Sequence, residues 1–79
     1  MPFISLTPDP PVSGQQVLIC VNGATMPLDV VVTIAGKPPV TIHITKFCEY
    51  WSVPPGTKGS MVNFHDSSGQ ANDESRQIA

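Results

Sequence analysis

Apolar and polar residues alternate with a period of two along most of this chain, and no ten-residue stretch repeats apolar positions at helical spacing. Leu28–Ala35 (LDVVVTIA) is the clearest case: Leu28, Val30, Val32 and Ile34 share one face, and Asp29, Val31 and Thr33 the other. Val40–Thr45 repeats the pattern, with Val40, Ile42 and Ile44 opposite Thr41, His43 and Thr45. In Gln15–Asn22, Val17, Ile19 and Val21 lie opposite Leu18 and Cys20. Phe3–Thr7 places Ile4 and Leu6 together. Pro8, Pro10 and Pro11 then withhold backbone donors, which assigns this first strand to an edge. Ser13-Gly14, Asn22-Gly23 and Gly36-Lys37-Pro38-Pro39 are the turns between these segments.

Phe47–Asp66 concentrates the aromatic payload, with the only Trp, the only Tyr, two of the three Phe residues and one of the two Cys residues. Trp51 and Val53 alternate with Tyr50 and Ser52, Pro54-Pro55-Gly56 stops the ladder, and Val62 and Phe64 resume it. The stretch predicts strands over Phe47–Val53 and Ser60–Asp66 joined by a tight turn. This hairpin-like unit would sit where two sheets meet. After a polar loop over 67–75, Glu74–Ile78 predicts a last edge strand. Seven short strands with a turn about every ten residues predict an all-β chain, a β-sandwich in one domain over 1–79, with a Pro-rich N-terminal arm over 1–11.

Three stretches carry a resemblance: Pro11–Gly14 (P-x-x-G) before V-L-I-C-V, the W-S-V-P-P-G corner at Trp51–Gly56, and V-N-F-H-D-S-S-G at Val62–Gly69. Through them the chain resembles small bacterial and phage immunoglobulin-like domains, including phage capsid decoration (cement) proteins. The resemblance implies an immunoglobulin-like β-sandwich of about seven short antiparallel strands. Two features depart from antibody domains. Trp51 follows both cysteines, and no tyrosine-corner spacing precedes a cysteine. In an immunoglobulin-like arrangement the second and fifth strands are antiparallel neighbours, which implies Cys20 beside Cys48 on the outer face. A bridge there closes a loop of roughly 28 residues and contributes on the order of 3 kcal/mol. The alternatives are two free thiols, as in reducing compartments, or an interchain bridge.

At 79 residues the chain lies near the lower limit for a self-sufficient core, where a crosslink or a partner chain weighs heavily. Only 13% of residues are charged and the net charge is −2, so the surface is weakly solvated and suited to being covered. The basic residues Lys37, Lys46, Lys58 and Arg76 are scattered, and no stripe exists to track phosphates, so a nucleic-acid partner is not expected. No apolar run reaches the length of a membrane span, and the N-terminus lacks the basic and apolar regions of a signal peptide.

Catalytic chemistry finds no foothold. His65, Asp66 and Ser67 are consecutive, and strand geometry points neighbours to opposite faces. Asp66, Asp73 and Glu74 fall in a polar loop with nothing to raise a carboxyl pKa. Gly56–Ser60 lacks phosphate-loop spacing and leads into a strand. His43 and His65 are expected to face solvent from different sheets, with no metal-ligand spacing. A zinc site would need two copies meeting across a symmetry axis. The expectation is a non-enzymatic protein without cofactor or metal.

What remains is surface. Leu18, Cys20, Val31, Thr41, Thr45 and Tyr50 make the outward positions unusually apolar or uncharged. The candidate contact residues are Phe3, Ile4 and Leu6 in the arm and Leu18, Val31, Thr41, His43 and Tyr50 on the outer faces. The resemblance implies a structural accessory protein that docks on a major capsid protein or other assembly subunits. It also implies self-association and a virion location after synthesis in the host cytoplasm. The arm Phe3–Pro11 and the outer apolar face would dock, and the loop Asp66–Ser75 would face outward. The competing expectation is an immunoglobulin-like binding or adhesion module of a secreted or cell-surface protein.

Overall fold

The computed structural model describes residues 1–79. Its strands are β1 (Phe3–Thr7), β2 (Gln16–Asn22), β3 (Leu28–Ile34), β4 (Val40–Ile44), β5 (Cys48–Ser52), β6 (Met61–Asp66) and β7 (Glu74–Gln77). They form a three-stranded sheet in the order β1-β2-β5 and a four-stranded sheet in the order β4-β3-β6-β7. Every pairing is antiparallel. The two-sheet arrangement is that of an immunoglobulin-like β-sandwich. The fourth strand, which joins the first, second and fifth in constant-type domains, here pairs with the third.

The period-two pattern sorts the side chains as the sequence predicts. Val17, Ile19 and Val21 of β2 and Leu28, Val30, Val32 and Ile34 of β3 are buried between the sheets, together with Val62 and Phe64 of β6. Ile4 and Leu6 belong to the same core, at 4% and 6% exposure. That corrects the expectation that they form a contact surface, because β1 spends its apolar face inward and leaves Phe3 as its one exposed apolar residue.

Phe47–Asp66 is not a hairpin. β5 pairs with β2, whereas β6 pairs with β3 and β7, so residues 54–60 cross from one sheet to the other. The local chemistry explains the crossing. Pro54 and Pro55 have no N–H to extend β5 or to close an in-plane turn. The corner instead folds over Thr57, which is 2% exposed. Its hydroxyl donates to the Pro54 carbonyl (2.7 Å), and its N–H donates to Ser13 Oγ (3.2 Å). Val53 N–H donates to the Gln15 carbonyl and the Gly14 N–H to the Val53 carbonyl, which ties the corner to the entry of β2. Across the corner, Trp51 and Phe64 meet edge to face from opposite sheets, with ring centroids 6.3 Å apart.

The N-terminal arm is also fixed by its own domain. Asp9 takes hydrogen bonds from Arg76 Nε (2.9 Å) and Nη2 (3.4 Å). Ala79 N–H donates to the Pro11 carbonyl, and Ser13 N–H donates to the Ala79 carbonyl. The segment after β1 therefore lies along the C-terminal end of the chain beside β7, and its distal half is not a free docking arm.

Phe64 is fully buried and is the only aromatic ring that Trp51 meets. Phe64→Ala is expected to cost about 3–5 kcal/mol through lost burial and the cavity left behind. Urea denaturation followed by the fluorescence of the single Trp51 reads this directly. A loss under about 1 kcal/mol would show that the inter-sheet aromatic contact does not support the core.

Candidate interaction surface

The outer side of the three-stranded sheet is built by the alternate positions of its strands. Phe3, Ser5 and Thr7 come from β1, Gln16, Leu18, Cys20 and Asn22 from β2, and Cys48, Tyr50 and Ser52 from β5. No charged side chain occurs among them. Leu18 lies directly between Thr7 and Tyr50, and Phe3 lies across from Asn22 at the other end. Phe3 and Tyr50 are 55% and 59% exposed, which leaves two aromatic rings on an uncharged face. Phe47, just before β5, is 53% exposed and has φ of 68°, a left-handed conformation rare for a bulky residue. The period-two pattern had assigned Phe47 to the strand itself.

Cys20 and Cys48 are joined on this face, with Cα atoms 4.0 Å apart. Val21 N–H donates to the Phe47 carbonyl, which makes the neighbouring Val21–Phe47 pair hydrogen-bonded and Cys20–Cys48 non-hydrogen-bonded. Facing side chains are closest in the latter kind of pair. The bridge fastens β5, an edge strand, to β2 at the point where the chain arrives from the other sheet.

The other contact candidates lie on the opposite side of the molecule. Val31, Thr41 and His43 sit on the outer face of the four-stranded sheet, so the eight candidates do not make one patch. That face is ionic. His43 Nδ1 donates to Asp29 Oδ1 at 2.6 Å and His65 Nδ1 donates to Asp73 Oδ1 at 2.7 Å. The two histidines flank β3 in one sheet and not, as expected, in different sheets, because β4 and β6 both pair with β3. The Asp73 carboxyl is held below the usual range first by the His65 hydrogen bond, then by the Asn63 amide. No group of three or more His, Cys, Asp or Glu side chains is placed to hold a metal ion.

The residues that the sequence read as a polar, outward loop contain a buried anion. Asp66 is 0% exposed. Its Oδ1 accepts from Ser68 Oγ (2.6 Å) and Ser68 N–H (2.9 Å), and its Oδ2 accepts from the N–H groups of Gln70 (3.1 Å) and Ala71 (2.9 Å). Burial pushes its pKa up. The Ser68 hydroxyl and the Ala71, Ser68 and Gln70 amides outweigh burial and leave it below 3.8. Gln70 then reaches the β2–β3 loop, its Oε1 accepting from Thr25 N–H (2.7 Å) and its Nε2 donating to the Thr25 carbonyl (3.0 Å). Asp-Ser-Ser-Gly is the signal for this turn, since an Asp side chain caps backbone donors a few residues on. No ligand-sized pocket opens on the surface.

Comparison with family models, with curated proteins and with solved structures finds no significant match to this chain.

Two outcomes follow. Reduction of Cys20–Cys48 is expected to lower stability by roughly 3–4 kcal/mol in the chain-entropy account, read as a shift in denaturant midpoint with and without reductant. An unchanged midpoint would show that the bridge constrains nothing that unfolds. Asp66, with a folded pKa below its unfolded value, contributes stability that is present above pH 3.8 and is lost as pH falls through the folded pKa. Asp66→Asn is expected to cost about 2–3 kcal/mol near neutral pH and to flatten the acid side of the stability profile, measured by urea melts from pH about 6 to about 2. An acid limb as steep in the variant as in the wild type would assign it to other carboxylates.

Proposed function

We propose that this protein is a non-enzymatic structural accessory, of the kind that decorates a phage capsid and stabilises it through protein–protein contacts. The single observation behind the reading is the uncharged outer face of the three-stranded sheet, with Phe3 and Tyr50 exposed and Leu18 half-buried beside Tyr50. A surface that only faces water carries charged and polar groups across it, as the outer face of the four-stranded sheet does with the Asp29 and Asp73 carboxyls and their imidazole partners. A side chain as large as Phe47 held exposed at positive φ costs about 1–3 kcal/mol, a cost more readily explained by a contact than by folding. The resemblance to capsid decoration proteins supplies the class of partner, a major capsid protein or neighbouring assembly subunits. The ionic face and the 66–71 turn would then remain in solvent.

The Cys20–Cys48 bridge favours a second reading, an immunoglobulin-like binding or adhesion module of a secreted or cell-surface protein, because disulfides persist in oxidising compartments. The intact mass of the chain taken from its native source without reductant separates the two. A mass lower by two hydrogens supports the exported module.

Co-sedimentation with assembled capsids tests the accessory reading. The wild type is expected to pellet with the particles and to raise their disassembly temperature. A Leu18→Asp/Tyr50→Asp variant, folded by its Trp51 fluorescence, is expected to bind at least about tenfold more weakly, since each change places a charge in a desolvated contact. Equal binding by the variant, or no binding by the wild type, would overturn the reading.

A further inference from the structure

Every open sheet is a template for another strand unless its edges are blocked. Three of the four edges here are. β1 is bounded by Pro2 and Pro8. On β5, the Tyr50 N–H is taken by its neighbour's carboxylate, Glu49 Oε1, at 3.2 Å, and the Cys48 N–H donates to the Lys46 carbonyl. On β7, Arg76 Nη1 donates to the Ser75 carbonyl (2.9 Å), and the 11–13 segment covers Ala79.

β4 follows Pro38-Pro39, but from Val40 to Ile44 it carries no proline, and no side chain or loop caps its outward backbone groups. Ser67 N–H donates to the Asp29 carbonyl and Ala35 N–H to the Met61 carbonyl, so the odd-numbered residues of β3 bond towards β6 and the even-numbered ones towards β4. Leu28, Val30 and Val32 oppose Ile44, Ile42 and Val40, which therefore spend their backbone groups on β3. The N–H and C=O of Thr41 and His43 point away from the sheet, and no turn or loop bond engages them. The strand holds no Pro and no Lys, Arg, Asp or Glu. Its core-facing row is also incompletely covered: Val40 is 44% exposed and Ile42 only half-buried.

We infer that β4 is the pairing edge of a homodimer, in which the β4 strands of two copies add antiparallel about a two-fold axis at Ile42. The sequence VTIHI is self-complementary in this register. Val40 falls opposite Ile44 of the second copy, Ile42 opposite Ile42, and Thr41 opposite His43, so apolar meets apolar on the inner side and the two His43 side chains are not set against each other. The same register makes Thr41 and His43 the hydrogen-bonded pairs, which are the two residues whose backbone groups are free. Isologous pairing uses the same edge of both copies and leaves that edge nothing for a third, so the product is a closed dimer and not a fibre. One strand pair buries well under the ~800 Å² per partner of a standard interface, so the dimer is concentration-dependent. The inference does not rest on the docking reading, which uses the outer face of the other sheet.

The test combines native mass spectrometry with amide exchange on the full chain from ~10 μM to ~1 mM. A dimer is expected at the upper end, with exchange at Thr41 and His43 slowed at least about tenfold relative to the lower end. Thr41→Pro removes a donor that no intrachain bond uses, at an edge where proline is tolerated, and is expected to be a monomer with the wild-type melting temperature. A wild type that stays monomeric throughout overturns the inference, even if a foreign extended peptide protects these amides. A dimer that persists in Thr41→Pro, or that forms while Thr41 and His43 exchange freely, overturns it too. Should Thr41→Pro fail to fold, the wild-type exchange data decide alone.

Discussion

The fold depends on one crossing. Between Val53 and Ser60 the chain leaves the three-stranded sheet and enters the four-stranded one, and the Trp51–Phe64 contact exists only because of that passage. A chain of 79 residues has little core to spare, so a corner that leaves polar backbone unpaired between two sheets would be hard to support. Thr57 removes that problem by giving its hydroxyl to Pro54 and its N–H to Ser13. The corner is thereby tied to the start of β2, and β2 is the central strand that both β1 and β5 need.

The alternation of apolar residues was sufficient to identify six of the seven strands and their apolar faces, because which side is wet is a local property of a strand; the polar Glu74–Gln77 was read only as a last edge strand. Partners are not local. Pro54-Pro55-Gly56 signals a turn whether the next strand returns in plane or crosses to the opposite sheet, so the sequence reading of Phe47–Asp66 as a hairpin had the right strands and the wrong pairing. The same limit applied to Ile4 and Leu6. A proline-bounded strand reads as an arm, and only the Asp9–Arg76 pair, 67 residues apart in sequence, shows that the chain behind it is tied down. Asp66 was missed for a related reason. It continues the inward row of Val62 and Phe64, but a carboxylate is tolerable there only because the following turn brings the Ser68, Gln70 and Ala71 donors back to it.

The two outer faces divide the remaining chemistry between them. One carries paired imidazoles and carboxylates, all at least four-tenths exposed, where such exposed pairs contribute little to stability but keep the surface hydrated. The other carries the disulfide and exposed aromatic rings, with no charge. Such an asymmetry has no use for a core, which sees neither face. It suits a protein with one side turned towards another molecule and one side towards water.

Edges and faces need not serve the same partner. Pairing through β4 extends the four-stranded sheet sideways, in the plane of the strands, and uses backbone groups. Docking through Phe3, Leu18 and Tyr50, as proposed, would act perpendicular to that plane, from the other sheet, and would use side chains. A molecule with both has two orthogonal attachments. Two copies linked at β4 would present two copies of the uncharged face on one side, because a two-fold axis normal to the sheet keeps inner and outer sides aligned. A weak pair and a weak contact then reinforce each other, since the second attachment within a linked pair becomes intramolecular and gains from effective concentration without any new contact. For a small chain with a limited apolar area, that would be a physical route to a firm hold on a repeating assembly that neither surface would provide alone.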